Sequence, residues 1–362
     1  MALHDKQTRR LSEMKANPLM DLLHYTALTS AFLALAFVCN NFLTYIFDLP
    51  GFFGTLSLAG INLFDSASKQ YSLVEYIFGA MQTFSYAAAV LIPIIIISSG
   101  SNVRDEKLMN NFAEIIVAAA FWSVMFIGIF DAIISFVRIE GFLPNIVGED
   151  LALSLGKPAF RGTFIHLPLL LLGTIIALYR RGIDFIWLAL LIVFGELLIV
   201  FTRFIFSYEQ AFMGDLVRFW YAGLFLFSSA YTLVHEGHVR VDVIYANFTD
   251  KRKAYTNIFG SLILGIPLCW IVLIRGLWNE SSPFNLALLN FEVTQQGYGM
   301  YVKYLMSGFL IIFALSMLFQ FSSYIIKYMN NLDNEGEEAG KVVDQKKLPS
   351  DLSDKMHVSA ES

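Results

Sequence analysis

Eight stretches of about twenty predominantly apolar residues set the limits on what this chain can fold into. They fall at about 22–47, 73–98, 112–137, 162–179, 183–203, 212–233, 256–275 and 302–327. Each is long enough to cross a hydrocarbon layer of about 30 Å as an α-helix. Lipid offers the backbone no hydrogen bonds, so a chain inserted this often must form helices or a closed barrel. Runs of this length without strict alternation predict an all-α, polytopic membrane protein with about eight transmembrane helices. Composition agrees: 56% of residues are hydrophobic and only 15% charged, against about 25% in soluble proteins. Both cysteines, Cys39 and Cys269, sit inside apolar runs and read as packing residues.

The fourth and fifth runs are separated by Arg180, Arg181 and Gly182. This tight turn divides the chain into a segment 1–21, a four-helix half 22–180, a four-helix half 183–328 and a tail 331–362. The tail holds eight acids against four lysines and few aromatics, a composition that predicts disorder. Segment 1–21 is too polar, and the first apolar run too long, for a cleaved signal peptide.

Basic residues set the orientation. With the N-terminus in the cytoplasm, Lys6, Arg9, Arg10, Lys15, Arg104, Lys107, Arg180, Arg181, Arg240, Lys251, Arg252 and Lys253 lie inside. The opposite loops (48–72, 138–161, 204–211 and 276–301) then carry Lys69, Arg138, Lys157 and Arg161. Both termini and the 235–255 segment are accordingly expected in the cytoplasm, and nothing in the charge balance suggests a nucleic-acid partner.

Behind the sixth run stands a polar cluster, His235-Glu236-Gly237-His238-Val239-Arg240-Val241-Asp242. After it, Val241, Ile244, Tyr245 and Phe248 fall at i, i+3, i+4 and i+7, which predicts an interfacial amphipathic helix near 240–249. The cluster reads as a structural or assembly element, with Arg240 and Asp242 pairing with each other or with a partner chain and His238 capping the preceding helix. Other polar residues invite similar readings. Asp215 and Arg218 share a helical face and can pair locally or meet a partner. Glu196 lies deep in the fifth run, where Arg203 is a candidate mate two turns on. Asp131 and Glu114 read as residues near the interface. Zinc spacing, a Walker-type loop and a nucleophile elbow are not found in the sequence, so no enzyme is expected.

Residues 184–327 resemble the small membrane subunit of TRAP transporters (tripartite ATP-independent periplasmic transporters), the DctQ-like family. The resemblance rests on several segments. They are Arg203-Phe204-Ile205-Phe206 closing a span, Ala230-Tyr231-Thr232-Leu233 leading into His235–Val243, and the basic turn Asp250-Lys251-Arg252-Lys253. The outer segment Leu289-Asn290-Phe291-Glu292-Val293 and the Leu318-Phe319-Gln320 of the last run complete it. Gly214-Asp215 departs from the family, which usually has a Glu there, often beside a Trp or Gln; the extra N-terminal helices look like an extended branch.

The resemblance implies a bacterial inner-membrane protein that scaffolds a large membrane subunit (DctM-like) and helps dock a periplasmic solute-binding protein (DctP-like). The system it implies takes up a carboxylate-bearing solute on an ion gradient. On this reading Arg203, Asp215, His238, Arg240, Asp242 and Glu292 are assembly or interface residues, and no cofactor is needed. The aromatic loop 276–301 reads either as an interfacial belt or as the docking surface for the binding protein. The competing reading is a haem-carrying anchor or electron-transfer subunit, for which His24 and His166 are the intramembrane histidines to test.

Overall fold

The computed structural model describes residues 18–58, 61, 71–98, 102–181, 185–205, 207–208, 210–234, 244–293 and 299–347, with the side chains of 58, 234 and 333–347 left aside. Every regular element among these residues is helical. In chain order, the helices of the N-terminal half are α1 (Pro18–Ile46), α2 (Gly51–Leu58), α3 (Leu73–Ser98), α4 (Asn102–Ile139), α5 (Leu143–Val147), α6 (Glu149–Leu155) and α7 (Pro158–Tyr179). Those of the C-terminal half are α8 (Ile186–Ile205), α9 (Ala211–Val234), α10 (Asp250–Leu277), α11 (Pro283–Leu289) and α12 (Lys303–Lys347).

Among the described residues, seven helices are long and apolar enough to span a membrane: α1, α3, α4, α7, α8, α10 and α12, the last through Leu332. Helix α9 has 24 residues, about 36 Å at 1.5 Å per residue, but Arg218, Tyr221, Ser228, Ser229 and Tyr231 dilute its hydropathy. Helix α3 coincides with its predicted run, whereas α4 and α10 begin ten and six residues earlier. Their first turns are polar, so an apolar count misses them. The segment from Asn331, expected to be a disordered tail, continues α12 to Lys347, with three Glu and three Lys that favour a helix and Gly336 and Gly340 that do not.

Helix α12 is the centre of the molecule. Of its most apolar stretch 72% is buried, against 17% for α3 and 11% for α8. It packs against α1 and α4 of the first half and α9 and α10 of the second. On α4 the buried residues Met109, Ala113, Val117, Ala120, Val124, Ile127, Asp131 and Ser135 recur every three or four positions, which is one continuous helical stripe. Phe219, Phe227, Cys269, Leu273, Phe309, Leu318 and Phe319 close over it from the second half. Cys269 is thus core as predicted, whereas Cys39 is exposed.

The 235–243 part of the polar cluster, with His238, Arg240 and Asp242, lies outside the described residues. In the rest of the expected interfacial helix, Tyr245–Asn247 forms a single 3-10 turn and Phe248 is extended. Helix α10 then begins at Asp250 behind an extended Thr249. Tyr245 is tied back onto α10 by accepting from Asn257 Nδ2 at 2.7 Å.

Candidate functional site: two buried polar knots joining the halves

Helix α4 carries a fully buried carboxylate near each end, Asp105 and Asp131, and each faces a histidine of another helix. The two acids are 26 positions apart, about 39 Å along the helix. The charge count predicts that the Asp131 end is the outer one and the Asp105 end the inner one.

At the outer end Asp131 is saturated with donors. Its Oδ1 accepts from Arg161 Nη1 at 2.8 Å and faces His166 Nε2 at 3.1 Å. Its Oδ2 accepts from the backbone N–H of Tyr301 at 3.0 Å. Arg161, wholly buried, also donates from Nη1 to Ser135 Oγ at 2.9 Å and from Nε to the Leu155 carbonyl at 3.0 Å. With the carboxylate accepting at Nε2, a neutral His166 ring accepts the Tyr304 hydroxyl proton at Nδ1, 2.8 Å away. Tyr301 joins the two halves. Its ring lies 4.4 Å from the Arg161 guanidinium and 4.7 Å from that of Arg138, a cation–π arrangement. Its hydroxyl donates to the Gly156 carbonyl at 2.8 Å and accepts from Arg138, whose Nη2 also reaches the Gly299 carbonyl at 3.1 Å.

Local backbone features aim these groups. Arg161 and His166 are five apart, and in an α-helix that places them about 140° from each other. Gly162–His166 is a π-turn, whose wider i→i+5 pitch brings both side chains to Asp131. Gly162 at its start has no room for a Cβ, because the Phe291 ring and the Tyr304 hydroxyl occupy that space. Phe291 reaches it by adopting a left-handed φ of 46° after α11, where the Glu292 N–H caps the Ala287 carbonyl at 3.0 Å.

The inner knot is smaller. His24 Nε2 stands 3.3 Å from Asp105 Oδ2, and Arg104 Nη2 lies 3.4 Å from Oδ1. Around it α12 is tied to the first half: Gln320 Nε2 donates to Asn110 Oδ1 (3.1 Å), Ser322 to the Ala27 carbonyl (2.8 Å) and Ser323 to the Glu106 carbonyl (3.3 Å). Both histidines are therefore engaged by carboxylates at opposite ends of α4, which is no arrangement for an axial pair on one haem.

The residues singled out from sequence fare unevenly. Asp131, expected near the interface, is the fully buried hub of the outer knot, because Arg161, His166 and Tyr301 converge on it from distant parts of the chain. Asp215 is nearly buried and stands 3.9 Å from Arg218, and its carboxylate lies against the Gly299 backbone, beside the knot. Glu292 pairs with Lys303 at 2.6 Å on the surface. Arg203 is exposed on the last turn of α8, and Glu196 makes no ion pair with it or with any other described residue. Sequence reasoning missed Ser135, Arg138, Tyr301 and Tyr304; the only signal for them was the odd placement of Arg161 and His166 at the start of an apolar run.

In the outer knot both oxygens of Asp131 accept from donors of the same chain, and in the inner knot Asp105 is flanked by Arg104 and His24, an arrangement suited to fixing register between helices. Residues 190–327 match the family model for the DctQ component of tripartite ATP-independent periplasmic transporters. No curated protein and no solved structure matches the chain. The stretch from within α8 to within α12 thus matches the DctQ component, the small permease subunit of TRAP transporters, and it stands behind further membrane helices that the match does not cover.

Proposed function

We propose that this chain scaffolds the large membrane subunit of a TRAP-type secondary transporter and helps dock the solute-binding protein. The system takes up a carboxylate-bearing solute on an ion gradient across the bacterial inner membrane, with both termini of this chain in the cytoplasm. The observation that carries this reading is how α12 is held. The last helix of the matched region is enclosed by both halves and hydrogen-bonded to the first half near both of its membrane ends. Such a clamp makes the two halves one unit against which a moving subunit can work. The 22–180 half enlarges that unit, and 183–328 supplies the family-specific part.

The test is co-expression with a candidate large membrane subunit and solute-binding protein from the same source, followed by purification and reconstitution into liposomes. Solute uptake is expected only with all three components and an imposed ion gradient. Transport by this chain alone, or failure to recover the large subunit with it, overturns the proposal.

A further inference from the structure

Helix α8 is the most exposed of the spanning helices, and it carries an acid at its centre. Glu196 is the eleventh of the twenty residues Ile186–Ile205, about 15 Å from either end, which is the middle of a bilayer. One stripe of α8, formed by Leu188, Ile192 and Gly195, is buried against α9. Glu196 lies off that stripe on the exposed side, between Val193 (62% exposed) and Val200 (48%). It has no hydrogen bond or ion pair with any described residue, although every carboxylate buried in the bundle has one. Arg203, seven residues on, is about 10 Å away along the axis. A carboxylate facing hydrocarbon without a partner is unfavourable in either protonation state, so the exposed face of α8 is incomplete.

We infer that the Glu196 face of α8 seats a transmembrane helix of a different subunit that presents a hydrogen-bond donor, a basic or amide side chain, at the bilayer midplane. A second copy of this chain is a poor occupant. Two-fold symmetry about the membrane normal sets identical helices parallel and brings Glu196 against Glu196, like against like. Lipid headgroups lie too far from the midplane to donate. The exposed flank of α3, by contrast, is apolar through its middle (Met81, Phe84, Leu91) and on to Ile95, and asks for nothing but lipid. The inference rests on the small-subunit reading above for the identity of the partner, the large membrane subunit.

The experiment uses the full co-expressed complex. A photoreactive benzoylphenylalanine is placed at Val193 or Val200, with Ile95 on α3 as control, and the assembly is irradiated in native membranes. Crosslinks to the large subunit are expected from positions 193 and 200 and not from 95. In parallel, Glu196→Leu is expected to lower recovery of the large subunit roughly three- to tenfold, the span expected for one interhelical hydrogen bond in a membrane. Glu196→Gln, which keeps an acceptor, is expected to hold most of it. Misfolding does not account for such a loss, since Glu196→Leu removes an acid from the lipid face and the purified variant chain is expected to melt no lower than the parent. Crosslinks to a second copy, crosslinks to lipid alone, or full recovery with Glu196→Leu overturn the inference. Failure of the parent chain to recover any large subunit counts against the proposed function instead, so the two failures are separable.

Discussion

Breaking the Asp131–Arg161 pair is the sharpest test of the outer knot, because both side chains are wholly buried and share their other ligands. Asp131→Leu leaves the Arg161 guanidinium with Ser135, the Leu155 carbonyl and the Tyr301 ring, but with no counter-charge. Removing one partner of a buried pair costs about 3–5 kcal/mol, and this variant belongs at the upper end of that range. Arg161→Met belongs at the lower end, because Asp131 keeps the His166 ring and the Tyr301 N–H. The double variant buries no charge at this point. It still orphans His166 Nε2, the Tyr301 N–H and the Leu155 carbonyl, so it is expected to cost about 4–5 kcal/mol rather than the sum of about 8. The coupling energy should therefore exceed about 2 kcal/mol. Equilibrium unfolding in mixed micelles, followed through the five tryptophans, measures all three variants. Additivity within about 0.5 kcal/mol, or either single change costing under about 1 kcal/mol, refutes the argument that the knot acts as a unit.

Three further outcomes follow from the geometry. At Gly173 on α7 a Cβ would lie 2.6 Å from the Ser123 backbone nitrogen of α4, so Gly173→Val is expected to destabilise by about 1–3 kcal/mol in the same assay. The Glu292–Lys303 bridge is about half exposed at both ends, so Glu292→Gln should change stability by less than about 1 kcal/mol. The Tyr208 hydroxyl donates to Glu140, which holds its phenol above the ordinary range. Glu140→Gln removes that acceptor and its charge, so the Tyr208 titration midpoint should fall; NMR of labelled tyrosine with Tyr208→Phe as assignment control reads this.

What the sequence revealed and what it hid divide along physical lines. Lipid imposes helices on long apolar runs, so α3 could be read to the residue, and the resemblance over 184–327 anticipated the matched region 190–327. Polar first turns such as Asn102–Asn111 of α4 carry no apolar signal and were lost. The outer knot was illegible for a different reason. Its members come from α4, α7 and the start of α12, up to 170 residues apart, and an apolar count treats each as a stray polar residue at the edge of a run. The π-turn hid it further, since a 3.6 period puts Arg161 and His166 on different faces. Glu196 was visible at once, but its expected pairing with Arg203 did not form, since helical spacing says which residues share a face and not which side chains meet.

The placement of polar groups follows from what lipid does to helix association. Apolar contact between two spanning helices gains little over apolar contact with lipid, so packing alone fixes neither register nor partner. This chain joins its halves in two other ways. One turn in from Asp131, α4 and α9 come close where Gly128 leaves only a hydrogen's width beneath the Trp220 ring, whose Nε1 donates to the Val124 carbonyl at 3.3 Å. Near the ends, where α4 and α12 would otherwise be free to slide, Asp131 with Tyr301 and Asn110 with Gln320 fix their relative height by directional bonds. Sliding α12 by a single residue, about 1.5 Å, breaks both sets at once. An N-terminal half held this way is tied to the 190–327 region at two heights, whereas α8 carries Glu196 on an exposed face with none of these directional bonds.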